Sequence, residues 1–135
     1  MNDAKYVIIK KDKYNIGLDV FEFNDWSMRI FGNYLTEMRL EGVYTRINIL
    51  NGTDNNFSLG VNETYVDDYD DDYYLIGNIT TGSYNHYDPV PEGMLWIKRD
   101  QFIKMLQTWY ELRSKDITNI MITKEGDLFE MHEIV

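Results

Sequence analysis

The stretch with the most distinctive chemistry is an acidic run at residues 67–74, DDYDDDYY, which holds five aspartates and three tyrosines. It lies in a base-free segment, because nine acidic residues and no lysine or arginine occur between Ile47 and Ile97. Adjacent carboxylates repel one another, so the run favours a cation or a cationic partner that relieves the repulsion. The possibilities to weigh are a metal site, imitation of a nucleic acid, binding of a basic protein, and a solvated loop.

A metal site is the first possibility, because Asp68, Asp70 and Asp72 alternate as the first ligands of a calcium loop do. A twelve-residue EF-hand loop that begins at Asp68 also needs glycine at its sixth position and glutamate at its twelfth. Tyr73 and Ile79 occupy those positions instead. We therefore expect no dedicated metal site. The sequence has no glycine-rich nucleotide-binding motif either, so we expect no cofactor.

Enzymatic activity needs a nucleophile, a base and an orienting group within reach of one another. The chain has no cysteine, and none of its serines lies in a G-x-S-x-G motif. His86 has Asp88 and several tyrosines near it in sequence, but a solvated loop histidine is the simpler interpretation. His132 belongs to the last predicted strand. The sequence therefore predicts a protein that is not an enzyme.

A basic protein is the partner that suits the acidic run best, with a solvated loop as the plain alternative. Tyrosine gives a large contact area at little entropic cost and is enriched in binding hot spots. Together with carboxylates it suits arginine and lysine, through charge-assisted hydrogen bonds and cation–π contacts. The predicted partner-binding residues are the run itself and a second cluster after it: Asp67, Asp68, Tyr69, Asp70, Asp71, Asp72, Tyr73, Tyr84, His86, Tyr87 and Asp88.

The charge and the apolar pattern also limit other partners and the location. With a net charge of −10, direct binding of nucleic acid is not expected, because neutralising phosphates needs lysine and arginine. No stretch approaches the roughly 20 apolar residues that span a bilayer, so no membrane partner is expected. The first residues lack the apolar segment of a signal peptide. The prediction is a cytoplasmic protein.

The elements that must position these residues follow from hydrophobic periodicity. Alternating or short apolar runs predict strands at residues 6–11, 16–23, 43–50, 57–66, 73–79, 117–123 and 128–135. The strand at 43–50 is expected to pair with 57–66. Apolar residues at spacings of three and four predict a helix at about 98–114 that buries Phe102, Leu106 and Trp109. The result is one α+β domain over residues 1–135, a mostly antiparallel sheet with this one principal helix packed on one face.

Residues 26–40 fit two patterns. As a hairpin, Gly32 and Asn33 would form a two-residue turn between alternating segments. As a helix, Met28, Phe31 and Leu35 would share one face. The hairpin is favoured, because glycine and asparagine in the middle of a helix are costly.

The closing third of the chain, from residue 95 onward, resembles the C-terminal half of small bacterial immunity proteins. These neutralise polymorphic toxins, including those of contact-dependent growth inhibition systems. The shared pattern is I-x-R-x-x-F/L-x-x-L-L-x-x-W on a helix, followed by a strand, a glycine turn and a last strand. It is carried here by core-packing residues: Trp96, Ile97, Arg99, Phe102, Met105, Leu106 and Trp109.

The resemblance implies a small cytoplasmic protein that is made beside its cognate toxin, binds the toxin domain and blocks it. Many such toxins are nucleases with basic clefts, which fits an acidic and aromatic inhibitory face. The alternative from another class is a nucleic-acid mimic that inhibits a host DNA-binding enzyme, as some phage anti-restriction proteins do. Clustering of the acids in one segment argues against that alternative, because mimics favour acids spread in rows.

Overall fold

A computed structural model of the protein describes residues 4–11, 17–52, 59–62, 64–68, 72–78, 94–115 and 117–134. The described residues form seven strands and three helices. In chain order these are β1 (Lys5–Lys11), β2 (Leu18–Phe23), α1 (Trp26–Glu37), α2 (Leu40–Leu50), β3 (Thr64–Asp68), β4 (Tyr73–Asn78), β5 (Leu95–Lys98), α3 (Arg99–Arg113), β6 (Asn119–Glu125) and β7 (Leu128–Glu133).

The strands form two antiparallel sheets. Sheet A has the order β2-β1-β6-β7, and sheet B has the order β3-β4-β5. The predicted N-terminal strand pair, the helix near 98–114 and the C-terminal strand pair are all present. In the turn between β6 and β7, Gly126 has φ +61°, a left-handed conformation that glycine adopts without steric cost.

The predicted arrangement of a single principal helix on one mostly antiparallel sheet is wrong. The described chain is α+β, but it contains three helices and two separate sheets. Helix α1 packs against strands of both sheets. The two sheets are therefore joined through α1, while α2 packs against α3, and α3 contacts β5 of sheet B and β7 of sheet A.

Residues 26–37 form a helix, so the favoured hairpin is wrong and its helical alternative is correct. The reason lies at Gly32, where a Cβ atom would approach Cγ2 of Val20 to 2.8 Å and Cγ2 of Val7 to 3.0 Å. The glycine lets the helix lie close against sheet A. Met28, Phe31 and Leu35 are fully buried on this helix, and their burial outweighs the roughly 1 kcal/mol propensity cost of glycine.

The strand predicted at residues 43–50 is wrong as well, because that segment lies in α2. Val43 and Leu50, two turns apart, are buried on one face of the helix. Arg46 holds the following segment against the helix, donating from Nε to the Leu59 carbonyl at 3.0 Å and from Nη2 to the Gly60 carbonyl at 2.5 Å. Tertiary packing here overrides the strand preference of the β-branched residues.

The strand predicted at 57–66 is present only from Thr64 onward among its described residues, and it pairs differently. Strand β3 lies against β4, with Val66 opposite Ile76 and Asp67 opposite Leu75. The expected pairing with residues 43–50 is therefore wrong. The described ends of the acidic run lie instead on β3 and β4, which are neighbours in the sequence.

A continuous aromatic cluster connects the two sheets through the helices. The ring centroids of Phe129 and Phe31 are 5.7 Å apart, those of Tyr34 and Phe102 are 6.0 Å apart, and those of Phe102 and Tyr74 are 5.5 Å apart. The hydroxyl of buried Tyr34 donates to the Leu59 carbonyl at 2.6 Å. Desolvation by burial raises the pKa of Tyr34 although the nearby Arg46 opposes the shift, so this hydroxyl stays protonated and able to donate.

Helix α1 begins at an Asp25 cap. Its carboxylate accepts the Ser27 backbone N–H at 2.9 Å, also accepts the Ser27 hydroxyl, and lies 3.5 Å from Lys5 Nζ. Burial alone would raise the pKa of Asp25, but the hydrogen bonds from Ser27 and the charge of Lys5 outweigh it, so the pKa lies below its ordinary value of 3.8. The charged form therefore stabilises the fold.

We expect Asp25→Ala to lower the free energy of unfolding by about 1 kcal/mol at neutral pH. Because the folded-state pKa is depressed, the ionic part of this contribution is present above the ordinary pKa and is lost as the pH falls through the folded-state value. Urea unfolding at pH values of about 7 and 2.5 measures the change. Glu41→Ala, in the first turn of α2, should have little effect at either pH. An Asp25→Ala deficit that stays constant with pH would contradict the charge argument.

Candidate functional site

The acidic run lies at the connected ends of β3 and β4. Of the predicted partner-binding residues, Asp67, Asp72 and Tyr73 are described, and Asp68 is described as the last residue of β3. The remaining seven lie outside the described residues: Tyr69, Asp70, Asp71, Tyr84, His86, Tyr87 and Asp88. Asp72 is exposed, and Asp67 and Tyr73 are half-buried.

Strand register divides sheet B into two faces. Side chains alternate along each strand, and directly paired residues share a face. Tyr74 pairs with Ile97 and Ile76 with Leu95, and these four are buried in the main core. On the opposite face, Tyr73 pairs with Lys98 and Leu75 with Trp96, while Asp67 pairs with Leu75. Asp67 and Tyr73 therefore belong to one face of sheet B.

A turn of the other sheet adds a carboxylate to this face. The Tyr73 hydroxyl donates to Asp127 Oδ2 at 3.0 Å, and the Tyr73 and Trp96 ring centroids are 6.2 Å apart. Lys98 Nζ lies 3.7 Å from Asp127 Oδ2 and 5.9 Å from the centre of the Tyr73 ring. We call the set Asp67, Tyr73, Trp96 and Asp127 the acidic-aromatic face; exposed Asp72 directly precedes Tyr73 in the chain.

The hairpin that carries this face is fixed to the core by Tyr74 and Arg99. Arg99 Nη1 donates to the Tyr74 hydroxyl at 3.1 Å, and Nη2 donates to the Leu50 carbonyl at 3.0 Å. The backbone N–H of Arg99 donates to the Asp72 carbonyl at 2.8 Å. The start of α3 therefore holds Asp72, the residue directly before β4. Tyr74, counted with the acidic run in the sequence, is a core residue only 7 % exposed.

A small apolar layer supports the same face of sheet B. Leu75 and Met94 are buried outside the main core cluster. The Tyr65 ring lies across Gly77, where an added Cβ would meet the Tyr65 hydroxyl oxygen at 2.6 Å, and this hydroxyl lies 3.4 Å from Met94 Sδ. The glycine therefore makes room for the tyrosine, which covers the strand.

Sequence reasoning missed Trp96, Lys98 and Asp127 as members of this region. Trp96 was named only as a core-packing position of the C-terminal resemblance, Lys98 only as the start of the predicted helix, and Asp127 lay only in the turn between the last two predicted strands. No local signal identifies them, because a strand pairing and a contact between two sheets bring them to Tyr73. Lys98 and Arg99 are the first basic residues after β4 in the chain. Their positive charges partly balance the negative charge of the acidic segment.

The described residues offer little other chemistry. His132 is exposed on β7, and His86 lies outside the described residues. Within the described ranges, no group of three histidine, aspartate or glutamate side chains could hold a metal ion. None of the three helices is long and apolar enough to cross a membrane.

Comparisons with protein-family models, with curated proteins and with solved structures find no match for this chain.

Proposed function

We propose that the protein is a non-catalytic immunity protein that binds a basic toxin domain, such as a nuclease, and occludes its active site. The observation that carries the proposal is the grouping of carboxylates and aromatic rings on the acidic-aromatic face. Asp67, Tyr73, Trp96 and Asp127 come from both sheets yet belong to one surface region. The resemblance of the closing third to immunity proteins supports the same class of function.

The chemistry of this face matches a cationic cleft. Carboxylates can occupy the positions where a nuclease would bind phosphates, and each forms charge-assisted hydrogen bonds with arginine or lysine. Tyrosine and tryptophan rings fill the space between the charges and accept cation–π contacts. Complementary charge speeds the encounter, and close packing of the rings slows dissociation.

The rigidity of the hairpin favours tight binding. Tyr74 and Arg99 anchor β4 to the core, and the Tyr73 hydroxyl is already bonded to Asp127. A surface that is ordered before binding loses less conformational entropy on association. Asp67 and Tyr73 can therefore act as preformed contacts.

The test uses the toxin domain that this proposal expects to be encoded beside the gene. Asp67→Asn combined with Asp72→Asn should lower the association rate constant by about threefold to tenfold at low salt and flatten its salt dependence. Surface plasmon resonance at several salt concentrations measures both quantities. Extending the change to Asp68, Asp70 and Asp71 should weaken protection of toxin-expressing cells further.

The matched control is Glu41→Gln combined with Glu111→Gln. Both glutamates are exposed on helices, so the control removes the same net charge elsewhere on the molecule. It should change the association rate far less than the hairpin variant does. If the hairpin variant associates at the wild-type rate and still protects cells, the acidic-aromatic face is not the interface. If the control slows association equally, the association rate depends on the net charge of the protein and not on the position of these carboxylates.

A further inference from the structure

The two neighbouring cations Lys98, at the end of β5, and Arg99, at the start of α3, are held very differently. Arg99 donates to the Tyr74 hydroxyl and to the Leu50 carbonyl, and its guanidinium lies 5.8 Å from the centre of the Tyr74 ring. Arg99 is therefore one of the residues that anchor β4 to the core. Lys98 has a carboxylate at 3.7 Å and the Tyr73 ring centre at 5.9 Å, and its side chain is 44 % exposed.

We propose that Tyr73, Trp96 and Asp127 form a receptor for one arginine side chain of the basic partner, and that Lys98 fills this receptor in the free protein. The inference deepens the proposed function and rests on it for the identity of the partner. It assigns a role to Lys98 beyond that function: an internal cation that the partner's cation must displace.

The geometry makes Lys98 easy to displace. Its 3.7 Å distance to Asp127 Oδ2 is longer than a hydrogen bond between charged groups, which is about 2.7–2.9 Å. Its 5.9 Å distance to the Tyr73 ring centre lies at the limit of about 6 Å for cation–π attraction. Exposed ion pairs of this kind contribute little, because solvent screens them and the long side chain loses entropy when held.

Arginine fits the same receptor better than lysine does. The planar guanidinium can stack on an aromatic ring while two of its N–H groups meet one carboxylate. Tyr73 supplies the ring, and its hydroxyl bond to Asp127 holds the carboxylate beside it. Trp96 lies next to Tyr73 with the rings inclined at 57°, so it backs the stacking surface. A partner arginine could therefore gain both contacts at short range.

The experiment uses the full chain with hexa-arginine and hexalysine peptides as probes, with affinities from isothermal titration calorimetry at low salt. Lys98→Met removes the internal cation and keeps most of the side-chain volume. It should raise the affinity for hexa-arginine by about twofold to fivefold, the range for loss of an exposed ion pair. The gain for hexalysine should be smaller, because an ammonium cannot stack and pair at once.

The matched control is Lys115→Met, which makes the same change of net charge on an exposed lysine. Lys115 lies beyond the C-terminal end of α3, roughly 25 Å from Lys98 at about 1.5 Å of rise per residue. The same affinity gain for both variants, without preference for arginine, would overturn the proposal. Asp127→Asn should lower affinity for hexa-arginine by about threefold to tenfold, and an unchanged affinity would also overturn it.

The two proposals fail separately. If the peptides behave as expected but the chain does not bind or neutralise the toxin domain, the receptor stands and the immunity function does not. If the chain neutralises the toxin but Lys98→Met and Lys115→Met bind hexa-arginine equally, the immunity function stands and the receptor does not. Thermal unfolding of each variant checks that the fold is retained, and shifts of the Trp96 indole N–H signal locate the peptide.

Discussion

Trp109→Ala is expected to lower the free energy of unfolding by about 3–5 kcal/mol, the usual cost of removing a large buried aromatic side chain. Trp109 is a fully buried residue of α3 and belongs to the main core. Alanine would leave a cavity that the surrounding side chains fill only in part. Since small domains are stable by about 5–15 kcal/mol in total, this loss is a large fraction of the total stability.

Trp109→Phe separates the energetic cost of the cavity from the cost of the unsatisfied indole N–H. In the described structure, the indole Nε1 of Trp109 is buried without a hydrogen-bond partner, and an unsatisfied buried donor itself costs about 1–3 kcal/mol. Phenylalanine removes this donor and keeps much of the ring volume, so its net cost should be below about 1.5 kcal/mol.

Urea unfolding followed by circular dichroism gives both values, and unchanged m-values show that the unfolded states are comparable. Tyr44→Ala is the control, because Tyr44 is a 55 % exposed aromatic on α2. We expect it to cost less than about 1 kcal/mol. A Trp109→Ala loss no larger than the Tyr44→Ala loss would refute the packing of α3 described here.

Gly32→Leu is expected to destabilise the protein by at least about 3 kcal/mol, and Gly32→Ala by about 1 kcal/mol net. An added Cβ would lie 2.8 Å from Val20 and 3.0 Å from Val7, and valine side chains have little freedom to move aside. Alanine gains roughly 1 kcal/mol of helix propensity, which offsets only part of the overpacking. The larger leucine side chain must push α1 away from sheet A.

Gly42→Ala tests the same chemical change in α2, where the added Cβ would meet Nη1 of Arg46 at 3.1 Å. Arg46 is hydrogen-bonded to the Leu59, Gly60 and Gly42 carbonyls, so it must shift slightly, and the propensity gain of roughly 1 kcal/mol offsets the cost of that shift. We therefore expect this variant to be close to neutral. Chemical denaturation of all three variants measures the contrast, and if Gly32→Ala costs no more than Gly42→Ala does, the close approach of α1 to sheet A is wrong.

The elements with strong local signals were predictable from the sequence. The apolar run of β1, the apolar stripe of α3, and the turn around Gly126 between β6 and β7 each depend on residues close in the chain. The helix predicted at about 98–114 is observed at Arg99–Arg113, with Phe102, Leu106 and Trp109 buried. Local periodicity decides such segments, because their own side chains define the face that must be covered.

The segments that sequence reasoning misassigned depend on distant contacts. Gly32 looked like a turn residue, although it is the point where α1 contacts Val7 and Val20. Residues 43–50 carry strand-forming side chains, yet Arg46 binds carbonyls more than ten residues further along the chain. Propensity differences per residue are at most about 1 kcal/mol for residues other than proline, glycine included, so packing and buried hydrogen bonds decide these segments.

The candidate site also has one part that the sequence determined and another part that depends on distant contacts. By itself the sequence determined that one acidic, tyrosine-rich segment carries the uneven charge, because charge is a property of the residues alone. Only the tertiary structure decided which side chains share a surface with it. Strand register sends Tyr74 into the core and Tyr73 to the opposite face, and the pairing with β5 adds Trp96 and Lys98. Contact between the two sheets adds Asp127, since residues 54 positions apart meet only when the whole chain has folded.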